Sequence, residues 1–91
     1  MIPTAAKVSV GGRVLTDDGM GISRTTVTLT DAAGNSRSAT TNTFGYYKFD
    51  EVEAGAIYTL TVNNKRYLFT DSPRVVNVQE NTADMNFIAS P

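Results

Sequence analysis

The chain has 91 residues, eight basic and nine acidic side chains, and a formal net charge of −1, with no Cys, His or Trp. This length suits a single domain with one core. The lack of Cys excludes disulfides and thiolate metal sites, and the lack of His removes the commonest general base and metal ligand. The balanced charge predicts no nucleic-acid partner, and the short apolar runs predict no membrane insertion.

Residue patterns divide the chain into a linker at 1–6, one β-sandwich domain at 7–89 and a second linker at 90–91. Neither end continues the strand periodicity of the domain. No signal-peptide pattern is present. We therefore expect a domain taken from a longer chain, whose export signal, if any, is not part of this sequence.

The first predicted strand covers residues 7–16 and places its valines on one face. Gly11 and Gly12 interrupt this strand, which indicates a bulge or a close approach of another backbone. A turn-rich loop follows, and Ile22 is expected to close the core from that loop.

The clearest alternation of the sequence lies at residues 25–30, where Val27 and Leu29 are expected to face inward and the threonines outward. A hairpin turn then leads to a short polar strand that ends at Thr41. Such a strand is typical of a sheet edge, where it exposes unpaired backbone groups.

An aromatic strand at residues 46–49 is expected to organise the core, with Tyr47 and Phe49 facing inward. Residues 50–55 are predicted to form a connector anchored by Val52. A long inner strand at 56–62 follows.

Three further strands are predicted, at residues 67–69, 74–78 and 83–89. In the first of them Tyr67 and Phe69 are expected to face inward, and in the last Met85 and Phe87. The predicted core residues are Val14, Val27, Leu29, Tyr47, Phe49, Tyr58, Leu60, Val62, Tyr67 and Phe87.

The short strands, the frequent turns and the lack of any helical period predict an all-β fold. We expect an antiparallel β-sandwich of seven to eight short strands.

A series of spaced residues covers most of the domain. The series is Gly12-x-Val14, Asp17-x-Gly19-x-Gly21-Ile22, Val27-x-Leu29, Thr41-Asn42-x-x-Gly45-x-Tyr47-x-Phe49, Val52-x-x-Gly55-x-x-Tyr58-x-Leu60-x-Val62 and Tyr67. Over residues 7–88 it resembles the carboxypeptidase regulatory-like domain, which is related to collagen-adhesin B-type repeats and starch-binding-like folds. The resemblance implies an all-β fold, a seven-stranded antiparallel Greek-key β-sandwich of the transthyretin-like (prealbumin-like) type. Asn42 stands where that family often has Asp, and it should still serve a turn.

The resemblance implies a non-catalytic structural or interaction module of an exported or cell-surface bacterial protein, acting as a rigid spacer or assembly unit. The implied partners are other domains of the parent protein, or copies of the chain joined through edge strands. The alternative is a carbohydrate-binding module, which would make a polysaccharide the partner. No cofactor and no catalytic residue is expected.

Carboxylates provide two weaker candidates. Glu51 and Glu53 could form an acid–base pair, although a polar connector favours solvated side chains. Asp17, Asp18 and Asp31 could bind calcium at one end of the sandwich, although aspartates are common in ordinary turns.

The collagen-adhesin relatives raise the prospect of an isopeptide bond between Lys7 and Asn86 in the first and last strands. That reaction requires both side chains to be buried beside a buried acid. Their alternation with inward residues predicts instead that both face outward.

Tyr46 and Lys48 are the candidate surface-contact residues, expected to face outward beside the threonine-rich strands. An exposed Tyr could stack on a sugar or on a neighbouring subunit, but a cross-strand pair on the sheet face is the simpler expectation. Lys65, Arg66 and Arg74 could gather near one end, where three cations would most often be solvated.

Overall fold

The computed structural model describes residues 7–69 and 72–90, which form seven strands in two packed sheets. The strands are β1 Lys7–Leu15, β2 Thr26–Thr30, β3 Ser36–Thr40, β4 Tyr46–Glu53, β5 Ala56–Asn63, β6 Arg74–Val78 and β7 Phe87–Ile88. One sheet has the order β4-β1-β7 and the other β3-β2-β5-β6. The predicted seven-stranded all-β sandwich is confirmed, and β3 lies at a sheet edge as expected.

One pairing departs from the predicted antiparallel arrangement. β7 runs parallel to β1, with Val14 opposite Phe87 and Leu15 opposite Ile88. The first and last strands therefore point in the same direction, and β7 lies beside the far end of β1.

The core lies between the two sheets, where alternate residues of facing strands meet. All of the predicted core residues are buried except Tyr67, which is half-buried and packs against the edge of the core. The buried apolar set also includes Val10, Ile22, Val52, Val76, Val78 and Ala89.

β4 is longer than the sequence predicted, because it continues through the supposed connector to Glu53. Val8 pairs with Val52 and Val10 pairs with Phe49, so Ser9 faces two residues of β4. This β-bulge contains Glu51, whose φ is 55°. The extra residue changes the alternation, and both Phe49 and Val52 are therefore buried although they are three positions apart.

Two predicted strands are absent or shortened within the described residues. Residues 67–69 form no strand, and Leu68 is 78% exposed. The predicted strand at 83–89 is regular only at β7. Before it, the segment is joined to β1 by isolated backbone bonds, such as that from the Met85 amide to the Gly11 carbonyl, and by side-chain amides. Asn86 Oδ1 accepts a bond of 2.8 Å from the Arg13 amide, and Asn81 Oδ1 one of 2.9 Å from the Ser9 amide.

The predicted linkers lie mostly outside the described residues, at 1–6 and 91. Ser90, assigned to the second linker, instead belongs to the domain. Its amide donates a hydrogen bond of 2.7 Å to the Leu68 carbonyl.

Tyr47 lies on β4, and its ring and hydroxyl reach across to β7 and the segment before it, at the other edge of the three-stranded sheet. The ring centroid lies 6.1 Å from that of Phe49 and 6.4 Å from that of Phe87. The hydroxyl donates to the Met85 carbonyl. Burial raises the pKa of Tyr47 well above its ordinary value, opposed by the nearby positive charge of Arg74.

We expect the domain to lose stability in alkali because of this shift. Below about pH 10, both the folded and the unfolded states hold the phenol proton. Above that pH the unfolded state releases the proton first, so the free energy of unfolding falls as pH rises. Urea titrations between pH 8 and 11 should show a steeper decline for the native chain than for Tyr47→Phe. Equal slopes would contradict the assignment.

Candidate functional site

The candidate surface residues Tyr46 and Lys48 are exposed but already engaged with neighbours. Arg13 lies opposite Tyr46, and its guanidinium carbon is 4.7 Å from the Tyr46 ring centroid. Lys48 Nζ lies 3.4 Å from Asp50 Oδ1. Both residues lie on β4, so the expectation that they adjoin the threonine-rich strands is wrong: β2, β3 and β5 form the other sheet.

The aspartates considered for calcium do not converge. Asp31 lines a hollow beside Lys7, whereas Asp17 and Asp18 follow the opposite end of β1. Asp31 Oδ1 accepts bonds of 2.9 Å from the amides of Ala33 and Asn35. These bonds, that from Asn35 first, lower the pKa of Asp31. In residues 7–69 and 72–90, no three acidic side chains are grouped to hold a metal ion.

Lys7 and Asn86 also have separate neighbours. Lys7 Nζ lies 3.3 Å from Glu53 Oε1, and both side chains are exposed. Asn86 Oδ1 accepts from the Arg13 amide, six positions further along β1. Glu51 and Glu53 are exposed on either side of buried Val52, so both carboxylates are solvated.

The site that sequence reasoning missed is a polar cleft of about 990 Å³ between residues 20–26 and 63–67. Arg24, Lys65 and Arg66 line it, and none of its lining residues is acidic. We call it the basic cleft. The carboxylates of Asp17 and Asp18 line the neighbouring hollow, which shares Arg66 with the cleft.

Two buried threonines support the floor of the basic cleft. Thr25 and Thr41 are the polar side chains buried in the described part of the chain. Thr41 Oγ1 accepts from the Thr25 amide at 2.9 Å and donates to the Ile22 carbonyl at 2.7 Å. Since buried polar groups are costly unless bonded, this arrangement fixes the loop that carries Arg24.

Asn64 connects the second loop to the same floor. Its Nδ2 donates to Thr25 Oγ1 at 2.8 Å, and its Oδ1 accepts from the Arg66 amide at 2.8 Å. The Arg24 amide in turn donates to the Thr41 carbonyl at 3.2 Å. The cations of both loops are therefore positioned by one hydrogen-bond network.

The predicted cluster of Lys65, Arg66 and Arg74 is only partly present. Arg74 turns toward the core, with its guanidinium carbon 4.8 Å from the Phe87 ring centroid and Nη1 3.9 Å from Met85 Sδ. Arg24 instead lines the basic cleft together with Lys65 and Arg66. The sequence periodicity gives no signal for Arg24, because Arg24 lies in a loop that is positioned by hydrogen bonds to residues distant in the chain.

Thr41→Val should lower the free energy of unfolding by about 1–3 kcal/mol, because it leaves the Thr25 amide and the Ile22 carbonyl buried without their partner. Thr41→Ser keeps the hydroxyl and should cost about 1 kcal/mol for the lost methyl group. Thr28→Val, on the outer face of β2, is the control with little expected effect. Chemical denaturation measures all three. Equal values for the Val and Ser variants of Thr41 would contradict the network.

The described residues contain no helix that is long and apolar enough to cross a membrane. Together, the two sheets and the loop-borne cleft define a small all-β sandwich module. The family model of the carboxypeptidase regulatory-like domain matches residues 9–90, and the chain belongs to this family. Domains of this family are generally non-catalytic modules.

Among solved structures, the chain is similar to one described as the Bacillus anthracis TIE protein, with a TM-score of 0.72 and 12% sequence identity. The match covers 92% of this chain and 17% of that one, so the chain spans about a sixth of its length. This likeness concerns the fold alone. No curated protein matches the sequence significantly.

Proposed function

We propose that the chain is a rigid spacer or assembly module within a longer protein of the cell surface or envelope. The observation that supports this function is the position of its first and last strands. Lys7 begins β1, and Ile88 of β7 lies beside Leu15 at the other end of β1. Eight steps of about 3.4 Å separate the two ends by about 27 Å.

Each end of the sandwich forms a pole, which we call the Lys7 pole or the Ser90 pole after a residue that lies there. The Lys7 pole contains the Lys7–Glu53 ion pair together with Asp31, Arg37 and Glu51, and the Ser90 pole contains Ser90, the basic cleft and the neighbouring Asp17 and Asp18. A chain that enters at one pole and leaves at the other holds its neighbours apart by the length of the sandwich. The packed core between the poles makes that separation stiff.

Spin labels test this geometry directly, because the chain has no Cys and labels attach only where Cys is introduced. The pair Lys7→Cys and Ile88→Cys should give a narrow distance distribution, centred near the strand length of about 27 Å plus the label tethers. The pair Lys7→Cys and Glu53→Cys is the control, since these residues are paired at one pole and about 5 Å apart. A broad distribution for the first pair would overturn the spacer proposal.

The carbohydrate-binding alternative stays a prediction. The Tyr46 ring is engaged by Arg13 across the strand pair, which favours the simpler role of a sheet-face contact. Retention of the native chain on a polysaccharide gel, abolished by Tyr46→Ala, would favour carbohydrate binding. The proposed location is supported by the family resemblance, and fractionation of cells that produce the parent protein would test it.

A further inference from the structure

Two residues share an unusual backbone conformation at opposite poles. Arg24 has φ 56° and Glu51 has φ 55°, and they are the non-glycine residues with positive φ in the described chain. Left-handed backbone is unfavourable for long side chains, and such positions are concentrated at functional sites. The two residues carry opposite charges, and both are exposed.

Neither charge has an ion-pair partner among the residues that the structure describes. The ion pairs among residues 7–69 and 72–90 are Lys7–Glu53 and Lys48–Asp50. Arg24 and Glu51 therefore have no ionic partner there. An unpaired charge held on a constrained backbone is suited to an intermolecular contact, because little conformational freedom is lost on binding.

Each of these residues is presented by a defined local structure. Arg24 stands at the basic cleft, where the Thr25–Thr41–Asn64 network holds it near Lys65 and Arg66. Glu51 stands on the bulge of β4, and bulges redirect side chains away from the regular strand faces. Glu53 lies two positions further on at the same pole, but its carboxylate is paired with Lys7, so Glu51 is the carboxylate of this bulge that is left for a partner.

We propose that the basic cleft receives the Glu51 bulge of a second copy of this chain, joining the two copies head to tail. The partner is identified by charge complementarity between the poles. A symmetric contact would place the Arg24 charges of two basic clefts, or the Glu51 charges of two bulges, against each other. The complementary contact is heterologous and leaves one pole free at each end, so it extends into an open row. This inference rests on the spacer function, since both use the opposite placement of the poles.

Sedimentation velocity of the 91-residue chain across a concentration series tests the association. In 20 mM NaCl, where screening acts beyond about 20 Å, the weight-average mass should rise with concentration. In 0.5 M NaCl, with screening beyond about 4 Å, the apparent affinity should fall at least tenfold. A monomer at every concentration up to 1 mM in 20 mM NaCl would overturn the proposal.

Reversing the charges of Arg24 and Glu51 tests whether the contact joins the two poles. Arg24→Glu alone and Glu51→Arg alone should each remain monomeric, because each places like charges at the contact. An equimolar mixture of the two variants should associate at least tenfold more tightly than either alone. Lys48→Glu, with the same change in net charge as Arg24→Glu but on the outer face of β4, is the matched control and should associate like the native chain. Lys65→Glu replaces Arg24→Glu if circular dichroism shows that variant to be unfolded.

Two other results would reject the proposal. Association that survives all of the charge variants would place the contact elsewhere, such as at an edge strand. A monomer whose Arg24 and Arg66 amide resonances shift on addition of inorganic phosphate at constant ionic strength would make the cleft a small-anion site. The spin-label distances separate the two proposals, since a fixed separation between the poles supports the spacer whether or not the copies associate.

Discussion

Gly12→Ala should lower the free energy of unfolding by about 3 kcal/mol or more, a large fraction of the stability of a small domain. A Cβ atom at this position would stand 2.2 Å from the carbonyl oxygen of Met85 and 2.5 Å from its carbonyl carbon. Both are backbone atoms, so no side-chain rotation relieves the clash. Relief requires the segment before β7 to move away from β1, breaking the 3.0 Å hydrogen bond from the Met85 amide to the Gly11 carbonyl.

Gly34→Ala is the matched control for this prediction. Gly34 lies in the turn between β2 and β3 with φ 91°, and a Cβ atom added there would meet no atom of the described residues within 4 Å. The substitution therefore costs only the unfavourable backbone conformation, about 1 kcal/mol. Urea denaturation measures both variants. A Gly12→Ala protein as stable as the Gly34→Ala protein would show that β1 and the segment before β7 are not in close contact.

Phe87→Ala should lower the free energy of unfolding by about 3–5 kcal/mol, the usual range for removing a fully buried aromatic ring. Phe87 is 0% exposed and packs against Tyr47, while Arg74 covers its ring. It is also half of the two-residue strand β7. Removing the ring opens a cavity and weakens the attachment of the last strand to β1.

Ile88→Ala provides the control within the same strand. Ile88 is 42% exposed and points away from the core, so its loss should cost no more than about 1 kcal/mol. In thermal and urea denaturation, the loss of unfolding free energy should be several times larger for Phe87→Ala than for Ile88→Ala. Similar losses would mean that β7 is held by its backbone pairing rather than by Phe87.

The proposed spacer function and the proposed head-to-tail contact both depend on one property of the fold. Parallel pairing of β7 with β1 sends the chain out at the pole opposite Lys7. The same arrangement separates the bulge at Glu51 from the cleft at Arg24 by the length of the sandwich. If copies of this module follow one another, the acidic bulge of one copy can meet the basic cleft of the next.

Local sequence determined much of the fold, because burial of one face imposes a period of two on a strand. Val27 and Leu29 alternate with threonines, and the structure buries the first pair and leaves the threonines on the outer face. The strand at 56–62 was predicted for the same reason. The glycines of β1 also indicated a close approach, which the contact between Gly12 and Met85 explains.

The prediction from strict alternation of buried and exposed residues was wrong where tertiary contacts changed the strand pattern. The β4 bulge buries both Phe49 and Val52, so a period of two ended the strand too early. Residues 67–69 have a strand-like pattern, but they form no strand, and Tyr67 only reaches the edge of the core. The direction of β7 could not be read from its residues, since parallel and antiparallel strands share the same alternation.

The amino-acid sequence by itself determined the class of fold, most of the core and the family, because these depend on local periodicity and spacing. Only the tertiary structure decided the site. Arg24, Lys65 and Arg66 are brought together by hydrogen bonds between residues far apart in the chain, such as Asn64 with Thr25. Glu51 and Arg24 acquire their shared backbone conformation from a bulge and a loop that no short sequence pattern specifies.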